Sequence, residues 1–330
     1  MNELEQIQTI LSNHGYEYLK TIGAGSFSQV FLCKSLKYNY LFAVKRVNNS
    51  KVIDSEINTL IYLNHPHIIR LYEIFNEDEY QYLVMEYCKN DTIKEKGKLD
   101  SEQFIYYSKQ ILEAISYCHS LKIAHRDIKP ENIFLDHYDR IKLADFGFAK
   151  QFDNGAISNE RCGSIMFCAP EIVKDQSSFN PFQADIYALG ITFFYMATGK
   201  LPFSNSSADH LKRSIIFNQI DFSKYKVKSE IKSMILKMVS KNPISRPTIN
   251  SLLRMPLYNH PQKMVSFLVK SSKSHGKLPL NNHWIRKSMS YTYDVPIDGE
   301  AQEINRYKSF IMAPSVISSS AHQTFSSDCH

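Results

Sequence analysis

The 330-residue chain lacks the patterns that mark several large protein classes. None of its six cysteines (Cys33, Cys88, Cys118, Cys162, Cys168 and Cys329) stands in a C-x-x-C pair, which removes the commonest zinc-binding spacing. His260, His275, His283, His322 and His330 have no metal-site spacing either. The start, MNELEQIQTI, is polar and has no apolar core of a secretory leader, so the thiols are expected to stay reduced inside a cell. The expected location is the cytoplasm, with the nucleus as the alternative. No apolar run is long enough for a bilayer: the longest, Ala184–Thr198, is short, carries Asp185 and reads as a buried helix, so no membrane partner is expected. The net charge of +6 is mild and not gathered into a stripe, so no nucleic-acid partner is expected. There is no internal repeat.

What is present is ordinary globular composition, 43 % hydrophobic and 22 % charged, which excludes a wholly disordered, collagen-like or coiled-coil chain. At about 150 residues per domain the length suggests roughly two units. Residues 1–15 read as an N-terminal extension. From Tyr16 to Tyr87 short segments rich in β-formers follow one another, among them Gln29–Cys33, Tyr40–Val47 and Tyr82–Glu86. One helical stretch, Val52–Leu63, interrupts them. The second lobe is expected over about 88–258, and from about Asp100 to Tyr258 the pattern turns helical, with helices expected over Ser101–Ser120, Gln183–Gly199, Ser229–Lys241 and Thr248–Met255. A small β-rich part leading into a larger helical part is a two-lobed α+β protein. From Asn259 the composition shifts: thirteen of the last 72 residues are serine, and the tail is expected to be mostly disordered.

Ile22-Gly23-Ala24-Gly25-Ser26-Phe27-Ser28-Gln29-Val30 forms G-x-G-x-x-S-x-V between two expected strands. Glycines there permit a tight turn and close backbone approach to phosphate, but glycine pairs in hairpins are common and the loop alone decides nothing. No helix opens after it, which argues against a dinucleotide fold. Fifteen residues on, Lys45 in Phe42-Ala43-Val44-Lys45 belongs to a strand that would aim it at the same phosphates, with Glu56 the candidate carboxylate to hold it. Next come His125-Arg126-Asp127-Ile128-Lys129-Pro130-Glu131-Asn132, then Asp145-Phe146-Gly147, then Ala169-Pro170-Glu171.

In order and spacing these motifs resemble those of the eukaryotic protein kinases, over about Tyr16–Tyr258. The resemblance implies transfer of the γ-phosphate of ATP, with Mg²⁺, to a hydroxyl of a protein substrate. By the same resemblance Asp127 orients the hydroxyl and accepts its proton, and Lys129 neutralises the γ-phosphate. Asn132 and Asp145 hold the metal, and Lys45 contacts the α- and β-phosphates while pairing with Glu56. Ile22, Gly23 and Gly25 cover the nucleotide. Val30, Ala43 and Phe134 enclose the adenine, Met85 is the gatekeeper, and Glu86–Cys88 is the hinge. Leu60, Leu71, His125 and Phe146 form a stacked spine. Asp185 holds the catalytic-loop backbone, Tyr187 replaces the usual tryptophan, and Glu171 pairs with Arg246. Lys129 and Gly163-Ser164 follow the serine/threonine pattern, with Ser164 bridging Asp127 and Lys129. Leu63–Ile68 and Thr198–Phe203 resemble the calmodulin-dependent and AMP-activated group.

Some positions depart from that pattern. Ser28 replaces the third loop glycine, the Lys45–Glu56 interval is short, and Lys89–Gly97 lacks the acid that usually grips the ribose. Tyr195 stands where kinases that favour basic substrates carry Glu, so a strong preference for arginine-rich substrates is not expected. Where relatives carry an activating phosphothreonine this chain has Glu160, with Arg126 and Lys150 present to receive it. Glu160 is read as a partial phosphate mimic. The competing reading makes it a solvated loop residue and Ser158 the phosphosite. In the tail, Gln262–Lys277 is basic and amphipathic, a candidate autoinhibitory or calmodulin-binding element, though Ser271, Ser272, Ser274 and Gly276 interrupt it. Arg286-Lys287-Ser288 is a candidate phosphorylation site. A catalytically silent scaffold would be expected to have lost Lys45, Asp127, Asn132 or Asp145, and none is lost. A small-molecule kinase would share that chemistry without needing Gly163–Glu171.

Overall fold

A computed structural model describes residues 2–25, 28–48, 59–152, 157–160, 163–174, 178–203 and 207–259. Glu56, Cys162 and the whole serine-rich segment from His260 lie outside the described residues, as does most of the helix expected over Val52–Leu63, of which residues 59–62 are seen as helix.

The first lobe is an antiparallel sheet of β1 (Tyr16–Ala24), β2 (Ser28–Ser35), β3 (Leu41–Asn48), β4 (Leu71–Glu77) and β5 (Tyr80–Glu86), in the order β1-β2-β3-β5-β4. Side chains alternate across a strand, so register decides which residues share a face. Val30 opposes Lys45, Lys45 opposes Leu83, and Ala43 opposes Met85, which places these five on one face. Phe31 opposes Val44 and Val44 opposes Val84, which places them on the other.

That other face is closed by a helix the sequence reading did not single out. The stretch expected to be a plain N-terminal extension forms α1 (Glu3–Asn13), started by a capping box between Asn2 and Glu5. Ile7 and Leu11, one turn apart, bury against Tyr16, Phe31, Cys33, Phe42, Val44, Phe75, Tyr82 and Val84. Glu3 pairs with Arg46 at 2.8 Å, and His14 stacks on Phe75 with ring centroids 3.8 Å apart.

Beyond the hinge, β6 (Asn90–Thr92) and the single-turn α2 (Ile93–Lys96) lead to α3 (Ser101–Ser120), capped by Asp100 and Gln103. Four short strands follow, β7 (Ile123–Ala124), β8 (Ile133–Leu135), β9 (Ile141–Leu143) and β10 (Lys150–Gln151). Helices α4 (Pro170–Val173), α5 (Pro181–Thr198), α6 (Ala208–Phe217), α7 (Ser229–Met238) and α8 (Ile249–Leu253) complete the second lobe. The helix expected from Gln183 starts two residues earlier, because Asn180 caps it and Pro181 suits its first position. Those expected to reach Lys241 and Met255 stop at Met238 and Leu253, ahead of Pro243 and Pro256. α5 is buried nearly all round, as a central core helix must be. It meets α7 so closely that a Cβ on Gly190 would lie 2.5 Å from Val239 Cγ1.

Candidate active site

The site is assembled from below by one buried carboxylate. Asp185 is 1 % exposed. Its Oδ2 accepts the His125 amide and His119 Nε2, each at 2.9 Å, and its Oδ1 accepts the Arg126 amide at 2.9 Å. Arg126 has φ +69°, which costs a non-glycine residue about 1–3 kcal/mol unless its surroundings hold it there. The two amide bonds to Asp185 supply that hold. His125 packs against Phe146 with ring centroids 4.6 Å apart and planes tilted by 54°, and burial keeps its pKa below the usual range. Leu60 and Phe146 are buried in the same core, with Leu71 packed against it.

Above this base Asp127, 4 % exposed, collects the expected polar groups. Lys129 Nζ donates to its Oδ2 at 2.6 Å and to Ser164 Oγ at 3.2 Å. The Ser164 amide donates to Asp127 Oδ1 at 3.1 Å, and Asn132 Nδ2 donates to Asp127 Oδ2 at 3.0 Å. The bridge expected of Ser164 is present. Gly163 permits it: at φ +85° it sits so tightly on the catalytic loop that a Cβ would fall 2.6 Å from the Arg126 carbonyl oxygen.

Asp145, also at positive φ, faces Lys45 at 3.8 Å, which brings the β3 lysine to the acid expected to hold metal. The pairing expected with Glu56 lies outside the described residues. Val30, Ala43 and Met85 line the sheet face shared with Lys45, and Phe134 lies on β8, paired with Lys142 of β9. Ile22, on β1, is 41 % exposed, and Gly23 and Gly25 frame the loop end, whose Ser26 and Phe27 are not described. At the expected hinge the Glu86 carboxylate pairs with Lys142 at 2.8 Å. Burial pushes the Cys88 thiol up to about 12, so it is no thiolate.

The activation segment brings together Arg126, Lys150 and Glu160. Arg126 donates to Glu160 Oε2 at 3.1 Å and to the Glu160 carbonyl at 3.0 Å, and Lys150 Nζ donates to Oε1 at 2.7 Å. The Lys150 hydrogen bond, with that of Arg126, holds the Glu160 carboxyl below the usual range. Ser158 is 4 % exposed and its backbone bridges Phe179. As a phosphosite it would present a buried hydroxyl that accepts the Glu160 amide at 3.2 Å.

Glu171 and Arg246 form a bidentate pair, both contacts 2.7 Å, with the guanidinium over Tyr187. Two contacts went unseen in the sequence. His119 is marked only by lying six residues before His125. Lys94, 3.0 Å from Glu131, carries no local signal at all, because tertiary folding makes the pair.

A buried acid, a lysine, an amide and a serine thus meet at one corner, and a second lysine–aspartate pair stands at β3. The profile of the protein kinase domain matches residues 16–258, and the chain belongs to the protein kinase family. It is 32 % identical over 271 residues to the SNF1-related protein kinase catalytic subunit alpha KIN12 of Arabidopsis thaliana, covering 77 % of this chain and 53 % of that one. It is 30 % identical to CBL-interacting protein kinase 32 of Oryza sativa, covering 72 % and 57 %. It is 29 % identical to the carbon catabolite-derepressing protein kinase of Candida albicans, covering 88 % and 49 %. The chain thus spans about half the length of the curated relatives it matches, and within the family it sides with serine/threonine kinases of the calmodulin-dependent and AMP-activated type.

Proposed function

We propose that the chain is an ATP- and Mg²⁺-dependent serine/threonine protein kinase in which Glu160 takes the place of an activation-loop phosphate. The observation that carries the transferase reading is the convergence of Lys129, Asn132 and Ser164 on Asp127. Asp127 is placed to accept the hydroxyl proton as the oxygen attacks the γ-phosphorus, and Lys129 to neutralise the charge that moves onto the transferred group. Asp145 and the Asn132 side-chain oxygen are the hard donors Mg²⁺ prefers, and two protein ligands suit an ion that fills its shell with phosphate oxygens and water. Bound there, the ion would neutralise charge on the triphosphate. Lys45 would fix the α- and β-phosphates.

The phosphate-mimic reading is supported by the Arg126–Glu160–Lys150 cluster. Arg126 is joined to Asp127 by one peptide bond, so ordering Arg126 orders the catalytic acid. A carboxylate brings one charge where a phosphate brings nearly two, so the replacement is partial.

The test is transfer of labelled γ-phosphate to a generic protein substrate by bacterially expressed, phosphatase-treated protein. Transfer that disappears in Asp145→Asn and drops severalfold in Glu160→Ala is the expected result. Absence of transfer by the wild type would overturn the kinase reading. Full activity of Glu160→Ala in phosphate-free protein would overturn the mimic.

A further inference from the structure

Glu131 stands in the catalytic loop between Pro130 and Asn132, two residues from Lys129. With consecutive Cα atoms about 3.8 Å apart, the four-residue step to Asp127 keeps Glu131 within about 15 Å of it. An acid there is a ready receptor for a substrate arginine or lysine, but this acid is taken. Lys94, on α2, places its ammonium 3.0 Å from Glu131 Oε1. The Glu131 Oε2 atom is enclosed and takes no hydrogen bond from a described residue.

The Lys94 side chain is about half exposed, but its backbone is held in place. Tyr195 Oη, from α5, donates to its carbonyl oxygen at 2.8 Å, and just beyond α2 the Leu99 amide donates to the Met196 carbonyl at 2.8 Å. α2 is therefore pinned to the end of the central helix, and Lys94 competes for Glu131 as an intramolecular ligand, at an effective concentration on the order of millimolar. Two other acids nearby are also engaged within the chain. Glu95 accepts the Thr92 amide at 2.8 Å, and Asp139 accepts Lys96 Nζ at 2.9 Å and Tyr107 Oη at 2.6 Å. Lys89, Lys98 and Lys200 are exposed around them.

We propose that Lys94 is a specificity-determining residue, which occupies the carboxylate a basic substrate side chain would take and turns the enzyme away from acceptor peptides rich in arginine or lysine. This rests on the protein kinase reading and is independent of the role given to Glu160. Tyr195 is a positioning residue that acts through Lys94.

The experiment compares kcat/KM for two peptides that differ only in carrying arginines or alanines just upstream of one acceptor serine, with a generic protein substrate in parallel. For the wild type the arginine and alanine peptides are expected to agree within about twofold. In Lys94→Ala the arginine peptide should gain about fivefold, the worth of one exposed charge pair, through KM and not kcat, while the alanine peptide is unchanged. Adding Glu131→Gln to Lys94→Ala should erase that gain. A wild type that already favours arginine tenfold, or a Lys94→Ala enzyme whose peptide ratio does not move, would overturn the proposal while leaving the transferase reading intact. A wild type inert on all three substrates would overturn both.

Discussion

Arg126 holds Glu160 at two points, through the carboxylate at 3.1 Å and through the backbone carbonyl at 3.0 Å. Lys150 holds it at one, 2.7 Å from the other carboxylate oxygen. The Arg126 side chain is nearly buried, whereas Lys150 and Glu160 are about half exposed. Exposed charges are screened by salt and worth little each, so the two cations are unequal partners. Arg126→Ala is expected to lower phosphate transfer more than Lys150→Ala, and added salt to weaken the Lys150 contribution first. Titration of activity in both variants, at low and high ionic strength, checks this. Because the Glu160 pKa is lowered in the folded state, its contacts are present above the ordinary glutamate range of about 4.3 and are lost only as pH falls further.

Asp127 touches the reacting hydroxyl in this scheme, and its carboxylate is already oriented by Lys129, Asn132 and Ser164. Asp127→Asn keeps the size and most of the hydrogen bonding but cannot take a proton. A fall in kcat of roughly 10²–10⁴-fold with little change in ATP affinity is expected, read by steady-state kinetics beside nucleotide binding.

The Glu171–Arg246 pair is almost wholly buried, with side-chain exposures of 4 % and 0 %. Cutting it leaves a charge stranded in the second lobe. Arg246→Ala should destabilise the protein by about 3–5 kcal/mol, whereas replacing both partners by apolar residues of similar volume should cost much less. Urea unfolding of the single and double variants distinguishes the two cases.

Leu11 is fully buried on the sheet face opposite the one that carries Lys45. Leu11→Ala is expected to lose about 2–5 kcal/mol from the first lobe, mostly through the cavity it leaves. Thermal unfolding should shift while the peptide selectivity of the intact enzyme does not.

His65 and His67 give the protein an acid-sensitive seam. Burial lowers their pKa values from 6.5 to about 4 and about 3. His67 is therefore neutral at pH 7, and its 3.7 Å contact with Glu113 is no ion pair there. The unfolded chain takes up these protons first, so stability is complete above about pH 6.5 and drains away as pH falls toward 3. His67→Gln should flatten that decline, measured as unfolding free energy against pH.

The sequence by itself determined the family. Asp127, Lys129, Asn132, Asp145 and Ser164 are legible as candidates because they stand in or beside the short motifs that carry the resemblance. Glu160, too, could be read as an acid at a phosphate's position. It also determined the two-lobed division, since period-two and helical periodicity are local properties. α1 was missed because only two of its residues, Ile7 and Leu11, are buried, and their burial depends on a sheet face formed by strands far along the chain. Only the tertiary structure decided that Lys94 meets Glu131 and that His119 joins the two expected backbone amides on the Asp185 carboxylate. Those contacts join residues 37, 59, 60 and 66 positions apart, and no periodicity records a meeting that exists only once the core has closed around it.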